Sequence, residues 1–372
     1  MRVAFVHDYL TQFGGAERVL LAMRELYPAA PVYTSLYDPA VFAGALDGVD
    51  VRTTWLQRVP FARRAFRAML PLYPAAFGAL DLSRYDLVIS STSSFAKGVH
   101  VRPDALHVSY VHTPTRFLWR QDEYAFDVAP AWSRPLLAAA MPALRRWDYA
   151  AAQRPDYIVA NSRNVAARIA ACYGRTSDVL HSPADAEAFA PVGKAAVGDY
   201  YVVAARLLPY KRVHLAVEAC NTLQAPLIVL GVGPDEARLR ALAGPTVRFA
   251  GRVSDAERRD LFARARAIIV PGEEDFGLVP LEAAAAGRPT IAFGAGGALE
   301  TVVDGVTGRF FQDPTAESLA GVLRKLDPWA FDVSTLTAHA AEFSADSFRA
   351  RFRVLLDGYL SAKASARSSS EL

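Results

Sequence analysis

The 372-residue chain has only two cysteines, and several familiar signatures are missing from it. Cys172 and Cys220 lie far apart and outside any metal-ligand spacing, so we interpret both as reduced thiols of a cytosolic protein. No run of about 18 apolar residues is free of charge, which disfavours a membrane span. The first eight residues contain too few apolar residues before a polar loop to form a signal peptide. These absences predict a cytoplasmic protein.

Charge and glycine patterns exclude further classes. The net charge of +3 is too small to indicate nucleic acid, and no dense Lys/Arg run is present. The loop after the first predicted strand is not Gly-x-Gly-x-x-Gly, which disfavours a nicotinamide-dependent dehydrogenase. No Asp-x-Asp occurs, which weakens any diphosphate site built on a chelated metal. We therefore expect no nucleic acid, no metal and no cofactor.

Length and periodicity indicate two α/β domains. The chain is long for one hydrophobic core, and short β-branched runs alternate with helical segments, as in parallel sheets. The strands that the pattern predicts are 3–6, 32–36, 86–90, 107–112 and 157–160, then 201–205, 227–230, 247–249, 267–270 and 290–293. Residues 183–194 are rich in turn formers and lack periodicity. We predict domains at 1–188 and 189–345, a last helix at 346–362 and a frayed tail at 363–372.

The most informative motif is a pair of glutamates, Glu274 and Glu282, with seven residues between them. They follow the apolar run 267–270 and the turn Pro271-Gly272, where a strand gives way to a helix. Open α/β sheets place ligands outside the carboxyl ends of their strands. Two acids at this spacing can hold two separate hydroxyl-bearing parts of one ligand, which suggests a sugar ring and a ribose.

Two cations follow an earlier predicted strand, Arg206 at its end and Lys211 five residues later. Arginine offers a bidentate fork and lysine a compact point charge, so together they could neutralise a diphosphate. The alternative is a pair of ordinary surface charges. The glutamate pair further along the chain favours the diphosphate interpretation.

Three other strand ends carry weaker signals. Gly14 and Gly15 open a helix after the first strand, where backbone N–H groups can meet an anion; the alternative is a plain tight turn. His112 ends another strand and could donate to a sugar hydroxyl or act as an acid or base, although a lone histidine there is often structural. The loop 294–300 repeats the glycine-rich pattern, and Arg252 could approach a nucleobase.

Residues 51–80 contain five arginines and no Asp or Glu, interleaved with aromatic and apolar residues. A basic amphipathic stretch of this kind can lie on an anionic bilayer surface. The alternative is an ordinary helix with a solvated arginine face. The five arginines are Arg52, Arg58, Arg63, Arg64 and Arg67.

Across nearly its whole length the chain resembles the retaining GT-B glycosyltransferases of family 4. The resemblance rests on Gly14-Gly-Ala-Glu17, His112-Thr-Pro, Arg206 with Lys211, Glu274 to Glu282 and the loop 294–300. The sequences around Arg206 and Glu274 are similar to those of bacterial mannosyltransferases that use GDP-mannose to build lipid-linked polysaccharides. Ala205, where a glycine is common, and the sequence 181–184 depart from the family pattern.

The resemblance implies two Rossmann-like domains facing across a cleft and a last helix that returns to the first domain. It implies that Arg206 and Lys211 hold the donor diphosphate, that Glu282 holds the ribose and that Glu274 faces the donor sugar. His112 would lie beside the transferred sugar and be catalytic with Glu274, Arg206 and Lys211. The other implied donor-binding residues are Gly14, Gly15, Arg252, Phe276, Gly277 and Leu278.

The function expected from the resemblance is retaining transfer of a hexose, most simply mannose from GDP-mannose, to a polyprenyl-diphosphate-linked saccharide in bacterial polysaccharide biosynthesis. The basic segment 52–67 would then bring the cytoplasmic enzyme to the inner face of the plasma membrane. Two alternatives stay open. One is a sugar-nucleotide epimerase or phosphorylase on the same fold, and the other is a non-catalytic sugar-nucleotide-binding partner of a biosynthetic complex.

Overall fold

The structure is a computed structural model that describes residues 1–42, 44–66, 68–120 and 134–370. The side chains of residues 64, 65 and 367–370 are also outside the description. The chain divides into two compact units, one formed by residues 1–181 and 348–372 and the other by residues 182–347. Each unit is built on one parallel sheet with helices, as the alternating sequence pattern predicts.

The first unit contains a seven-stranded parallel sheet. Its strands are β1 (Val3–His7), β2 (Val32–Thr34), β3 (Val51–Thr53), β4 (Leu87–Thr92), β5 (Leu106–Val111), β6 (Tyr157–Ala160) and β7 (Asp178–Val179). Its helices, in chain order, are α1 (Gly15–Arg24), α2 (Ala62–Ala65), α3 (Tyr73–Gly78), α4 (Arg116–Trp119), α5 (Arg134–Ala151) and α6 (Arg163–Tyr173). The strand order β3-β2-β1-β4-β5-β6-β7 reverses between β1 and β4, which makes that position the topological switch point.

The second unit contains a six-stranded parallel sheet. Its strands are β8 (Tyr201–Ala204), β9 (Leu227–Leu230), β10 (Val247–Gly251), β11 (Ala267–Val270), β12 (Thr290–Phe293) and β13 (Gly308–Phe311). Its helices are α7 (Val213–Leu223), α8 (Glu236–Leu242), α9 (Asp255–Ala263), α10 (Leu278–Ala285), α11 (Ala298–Thr301), α12 (Ala316–Lys325) and α13 (Val333–Ala341). The order β10-β9-β8-β11-β12-β13 places this switch point between β8 and β11.

The last helix, α14 (Ala345–Ser370), packs on the first unit, as predicted for a helix that returns to that domain. Phe348, Phe352, Leu356 and Tyr359 recur along one face, are buried, and belong to the same core cluster as β1 and β4. The ring of Tyr359 stacks on Tyr157 at a centroid distance of 4.0 Å. The described part of the chain contains no helix that is both long and apolar enough to cross a membrane.

Two boundaries differ from those predicted. The units meet between His181 and Ser182, before the predicted boundary at residue 188, because Ala184 packs with the second unit and its N–H donates to Phe343 O at 2.8 Å. The last helix continues to Ser370, where the sequence suggested a frayed tail from residue 363. Alanine and basic residues favour the helix there, and Lys363 Nζ lies 2.7 Å from Asp156 Oδ1.

The basic segment 51–80 is not one continuous helix within its described residues. It forms β3, a 3₁₀ turn (Trp55–Arg58), α2, a second 3₁₀ turn (Leu70–Leu72) and α3. Three prolines interrupt the stretch, which explains why no long amphipathic helix forms. Arg67 and the side chain of Arg64 lie outside the described residues.

Candidate active site

The switch point of the second sheet brings two predicted residues into contact. Lys211 ends a 3₁₀ turn in the loop after β8, and Glu274 lies in the loop after β11. Lys211 Nζ and Glu274 Oε2 are 2.6 Å apart, and the two side chains are 17% and 19% exposed. The ion pair therefore lies at the carboxyl edge of the sheet, partly shielded from water, where ligands of open α/β sheets bind.

Two glycines allow the loops that carry Lys211 and Glu274 to approach each other and a third loop closely. A Cβ atom on Gly272 would lie 2.8 Å from both Cα and the carbonyl oxygen of Lys211, closer than real Cβ contacts. A Cβ atom on Gly297 would lie 2.4 Å from Cα of Phe276, and the Gly297 N–H donates to Glu274 O at 2.8 Å. The loops that carry Lys211, Glu274 and Gly297 thus touch through their backbones, and only glycine at positions 272 and 297 permits it.

The electrostatic environment keeps Lys211 charged. Burial disfavours the ammonium and lowers the pKa of Lys211, but the Glu274 carboxylate raises it, first by charge and then by the hydrogen bond. The net pKa lies above the ordinary value of lysine. At neutral pH the site therefore contains a fixed positive charge beside a carboxylate.

Glu282, the second glutamate of the motif, lies in α10 and is buried. Its Oε2 accepts a hydrogen bond from Arg258 Nη2, a residue of α9. Arg258 was not predicted from the sequence, where it is one of two adjacent arginines in α9 and nothing in the motif distinguishes it. Gly277 precedes α10 with a φ of 100°, a left-handed conformation that favours glycine and sets the direction in which the helix leaves the Glu274 loop.

The other residues of the second unit that were predicted to bind the donor take no part in the Lys211–Glu274 ion pair. Arg206 is exposed just after β8 and Arg252 is exposed just after the edge strand β10, and neither makes an ion pair within the described ranges. Phe276 is buried and packs with Leu281 and Phe343, so its ring belongs to the core and only its backbone could face a donor. Leu278 is half-buried at the first position of α10.

In the first unit, the glycine loop is anchored to the helix that it opens. Glu17 Oε2 accepts the N–H of Gly14 at 2.8 Å, and α1 begins at Gly15. This one-sided cap, from the third helical residue back to the N-cap N–H, holds the loop at the carboxyl end of β1, where the sequence placed it. Glu17 itself is buried, which is unusual for a carboxylate and requires partners.

His112 follows β5 directly and is buried. His112 Nε2 lies 2.8 Å from Ser91 Oγ, and Ser91 Oγ lies 3.1 Å from Nδ1 of His7. The other nitrogen of His7, Nε2, lies 3.6 Å from Glu17 Oε1. The structure thus connects His112 to the glycine loop through Ser91 and His7, which the sequence did not single out.

Asp8 is a further residue that sequence reasoning missed. It follows β1, is buried, and accepts backbone N–H groups at 2.6 to 2.9 Å from four consecutive residues, Ser93, Ser94, Phe95 and Ala96. Thr92 Oγ1 also donates to Asp8 Oδ1 at 3.1 Å. This carboxylate fixes the turn after β4 against the end of β1, and so positions the switch point of the first sheet.

Comparisons with known proteins agree with this architecture. The sucrose-phosphate synthase of Thermosynechococcus elongatus superposes with a TM-score of 0.73 at 18% identity, covering 97% of this chain and 100% of that one. Anabaena HepE, solved in complex with UDP-glucose, gives a TM-score of 0.71 at 18% identity and covers 96% and 100%. The fold is that of the GT-B glycosyltransferases.

Sequence comparison is more specific. Residues 13–188 match the model described as Glycosyltransferase Family 4, and residues 169–326 match the model described as Glycosyl transferases group 1. The chain therefore carries a family 4 glycosyltransferase domain followed by a group 1 glycosyltransferase domain. A D-inositol 3-phosphate glycosyltransferase of Mycobacterium avium is 29% identical in an alignment 313 residues long, which covers 71% of this chain and 73% of the relative.

Proposed function

We propose that the protein is a retaining glycosyltransferase that moves a hexosyl unit from a nucleotide diphosphate donor to a hydroxyl acceptor. The observation that carries this proposal is the Lys211–Glu274 ion pair at the switch point of the second sheet, inside the group 1 domain. A cation held beside an acid at a sheet edge suits a ligand that has both a diphosphate and sugar hydroxyls.

The difficult step is departure of the nucleotide diphosphate, because negative charge develops on the leaving group. In the proposed reaction Lys211 and Arg206 bind that diphosphate, and the N-terminal N–H groups of α10 add positive potential. Glu282 binds the ribose hydroxyls and Glu274 faces the sugar. We expect no metal to take part.

Residues of the first unit have complementary roles in the proposal. Gly15 presents its backbone N–H to the diphosphate, Gly14 lines it without its own N–H, which donates to Glu17, and His112 lies beside the transferred sugar. In the second unit the backbone of Phe276, Gly277 and Leu278 lines the donor site. Arg252 lies toward the nucleobase.

Retention is proposed to follow from attack by the acceptor on the same face from which the phosphate leaves. The bond from the anomeric carbon to the phosphate oxygen breaks, the bond to the acceptor oxygen forms, and the leaving phosphate takes the acceptor proton. This route needs no carboxylate nucleophile, in contrast to many retaining glycosidases. A trapped glycosyl ester on Glu274 would contradict it.

The identities of the donor and the acceptor are more specific proposals. We favour mannose from GDP-mannose and a polyprenyl-diphosphate-linked saccharide, because the sequences around Arg206 and Glu274 resemble mannosyltransferases of polysaccharide biosynthesis. The names of the relatives support two competitors. HepE was solved with UDP-glucose, and the mycobacterial relatives are named for an inositol 3-phosphate acceptor.

The testing experiment is a thermal-shift screen of GDP-, UDP- and ADP-sugars followed by transfer assays with both acceptor classes. A donor that binds only the folded state raises the midpoint of unfolding. Arg206→Ala should lower turnover by roughly two orders of magnitude with the fold intact, whereas Arg248→Ala, an exposed arginine on β10, should not. Near-native turnover by Arg206→Ala, or an isomerised donor without acceptor, would refute the proposal.

Membrane contact by the first unit is proposed on a surface formed by Trp55, Arg58, Phe61, Arg63 and Leu72, called here the basic aromatic surface. The residues Trp55, Phe61 and Leu72 are 40%, 77% and 43% exposed. Arg58 and Arg63 belong to the same stretch of chain and are exposed, and Arg63 also pairs with Asp38 at 3.0 Å. Exposed rings next to cations suit an anionic lipid surface, where a lipid-linked acceptor would lie.

A further inference from the structure

A small polar cavity of about 230 Å³ lies at the amino ends of β5 and β6 in the first unit. His107, the second residue of β5, and Asp156, directly before β6, are among its lining residues, and Lys363 reaches it from α14. His112 follows the carboxyl end of β5, so the cavity is on the opposite side of the sheet from it. The cavity is large enough for one small polyatomic anion, and the proposed reaction gives it no role.

The charged residues that line this cavity, among those that the structure describes, are three cations and one carboxylate: Arg102, Arg154, Lys363 and Asp156. Both oxygens of Asp156 are already engaged. Its Oδ1 lies 2.7 Å from Lys363 Nζ, and its Oδ2 accepts the backbone N–H of His107 at 2.8 Å. Asp156 can therefore balance only one of the three cations.

Arg154 is the cation whose charge is least compensated. Arg102 has carboxylate partners of its own, Asp86 and Asp104. Arg154 instead donates to the backbone oxygen of Gly98 and forms no ion pair with any residue that the structure describes. It is half-buried, and burial lowers its pKa. A guanidinium that loses water without gaining a carboxylate is destabilised, and a bound anion would relieve this.

His107 adds a neutral polar group to the same cavity. The residue is 2% exposed, its Nε2 lies 3.0 Å from Ser90 Oγ, and its Nδ1 has no hydrogen-bond partner within the described ranges. Burial is the largest reason that the pKa of His107 falls to about 4; Asp156 raises this pKa, and Arg154 and Lys363 lower it, so all three charges act on the ring. A neutral imidazole nitrogen can bond a ligand in either tautomer if that ligand both donates and accepts.

We propose that this cavity is a binding site for one phosphate group, with Arg154 and Lys363 as its charged donors and Nδ1 of His107 as its neutral contact. Lysine and arginine are the side chains best suited to phosphate. The ammonium of Lys363 has three donors, of which Asp156 takes one, and the guanidinium of Arg154 has five, of which Gly98 takes one. Hydrogen phosphate both donates and accepts, so it satisfies His107 in either tautomer. The site is independent of the proposed sugar transfer.

A phosphate bound here would connect three segments of the first unit. Arg154 precedes β6, His107 lies in β5 and Lys363 lies in α14. Because a ligand stabilises the folded state that binds it, phosphate should slow amide hydrogen exchange in the turns of α14 around Lys363. This local readout also separates the cavity from the proposed diphosphate site, which belongs to the second unit.

The experiment titrates the complete protein with inorganic phosphate at constant ionic strength, with chloride as the balancing anion, and follows hydrogen exchange around Lys363. We expect a saturable decrease in exchange rate. Glycerol 3-phosphate, which has the phosphomonoester of a lipid headgroup, is the second probe. Binding at least as tight as that of phosphate assigns the site to a phosphomonoester, and weaker binding assigns it to the free ion. Exchange that is the same in phosphate and in chloride alone would overturn the proposal.

Lys363→Met is the decisive variant, because it removes one cation and leaves Asp156 without its counter-charge. The fold should persist, since the side chains of this pair are 21% and 32% exposed. We expect phosphate to bind at least about tenfold more weakly. A phosphate affinity equal to that of the wild type would overturn the proposal.

Arg349→Met is the matched control on the same helix. Arg349 also joins α14 to the rest of the first unit, through an ion pair with Glu25 at 2.5 Å, and its side chain is 22% exposed. It lies about 21 Å from Lys363 along the helix axis and does not line the cavity. Phosphate binding should be unchanged in this variant. Equal weakening in Arg349→Met and Lys363→Met would show that docking of the helix, rather than the cavity, determines the response.

Arg154→Met tests the second cation independently of the last helix. It should also weaken phosphate binding about tenfold or more, because it removes the guanidinium that has no ion pair within the described residues. Hydrogen exchange in α1 checks that the first unit stays folded. Wild-type affinity for phosphate in this variant would contradict the assignment of Arg154.

Discussion

The ammonium of Lys211 and the carboxylate of Glu274 lie 2.6 Å apart although 63 positions separate them in the chain. They meet because β8 and β11 are neighbours at the switch point, so the loops after these two strands leave the same edge of the sheet. Gly272 and Gly297 then allow backbone contact between the loops. The position of the pair is therefore a consequence of topology together with two small residues.

Glu274→Gln should keep the fold and lower turnover about a hundredfold, since it removes the carboxylate that orients Lys211 and faces the sugar. Steady-state kinetics with the best donor measure the effect, and the thermal midpoint checks the fold. Glu236→Gln is the matched control, because it breaks an exposed Glu236–Arg240 pair in the same unit. Turnover of Glu274→Gln close to that of the control would exclude Glu274 from the site.

Gly297→Ala should damage the site through the backbone. The new methyl would meet Cα and the carbonyl oxygen of Phe276 at 2.4 Å and so displace the loop that carries Glu274. Gly321→Ala, in α12, meets no atom within 4 Å and should be neutral or slightly stabilising, by up to about 1 kcal/mol. Thermal shift on donor addition should therefore be lost in the first variant and kept in the second. Normal donor binding by Gly297→Ala would contradict the close approach.

The buried pair of Lys97 and Asp148 in the first unit offers a stability prediction. Lys97 Nζ lies 2.6 Å from Asp148 Oδ1, with the side chains 2% and 0% exposed, and the hydroxyl of Tyr173 also donates to Asp148 at 2.8 Å. Burial and the Asp148 charge raise the pKa of Tyr173 well above its ordinary value, so Tyr173 stays a neutral donor. Removing the ammonium alone leaves a buried carboxylate without its counter-charge.

Lys97→Met should accordingly lower the free energy of unfolding by about 3 to 5 kcal/mol. Lys363→Met is the control, because its ion pair with Asp156 has a similar length, 2.7 Å, but its side chains are 21% and 32% exposed, and its loss should cost less than about 1 kcal/mol. Urea unfolding of both variants gives the comparison. Equal losses would show that burial does not determine the strength of these pairs.

The basic aromatic surface predicts binding to anionic vesicles. Trp55→Ala/Phe61→Ser and Arg58→Ala/Arg63→Ala should each weaken binding at low salt, and added salt should weaken that of the wild type. Val354→Ser is the control, since Val354 is 72% exposed on α14 and lies outside the surface. Cosedimentation with anionic and neutral vesicles measures the effect. Wild-type binding by both double variants would refute the contact.

The sequence predicted the fold because alternating strands and helices follow local rules. Strand ends mark one edge of a parallel sheet, so the sequence could assign Lys211 and Glu274 to that edge. That the two lie close together was implied only by the family resemblance, because β8 and β11 are not consecutive strands. The partner of Glu282 could not be predicted in this way, because Arg258 reaches it only through the way in which α9 packs beside α10. The short strands β3, β7 and β13 were missed because a charged residue, Arg52, Asp178 or Arg309, interrupts the apolar run in each of them.

Buried polar contacts were the least predictable part of the site. Ser91 and Ser90 are adjacent on β4, and only the direction of each side chain decides that one bonds His112 and the other His107. Phe276 was predicted to bind the donor, whereas its ring packs in the core. A motif specifies which backbone comes near a ligand, but the face on which each side chain lies depends on the assembled sheet.

His107 gives a pH prediction whose sign follows from burial. Burial lowers the pKa of His107 to about 4; the Asp156 carboxylate raises it, and Arg154 and Lys363 lower it, but burial dominates. The unfolded chain has an ordinary histidine pKa of about 6.5, so between these values it binds a proton that the folded protein does not. The contribution of His107 to unfolding stability is therefore constant above about pH 6.5 and decreases as the pH falls toward 4, by about 3 kcal/mol in total.

His107→Gln should remove that part of the pH dependence, because glutamine does not titrate. Urea unfolding of the wild type and the variant at intervals between pH 4 and 7 measures the difference in slope. Ser90→Ala, which removes the hydrogen-bond partner at 3.0 Å but keeps the ring buried, should retain the wild-type slope. If Ser90→Ala flattens the curve as much as His107→Gln does, the hydrogen bond rather than burial controls the protonation of this ring.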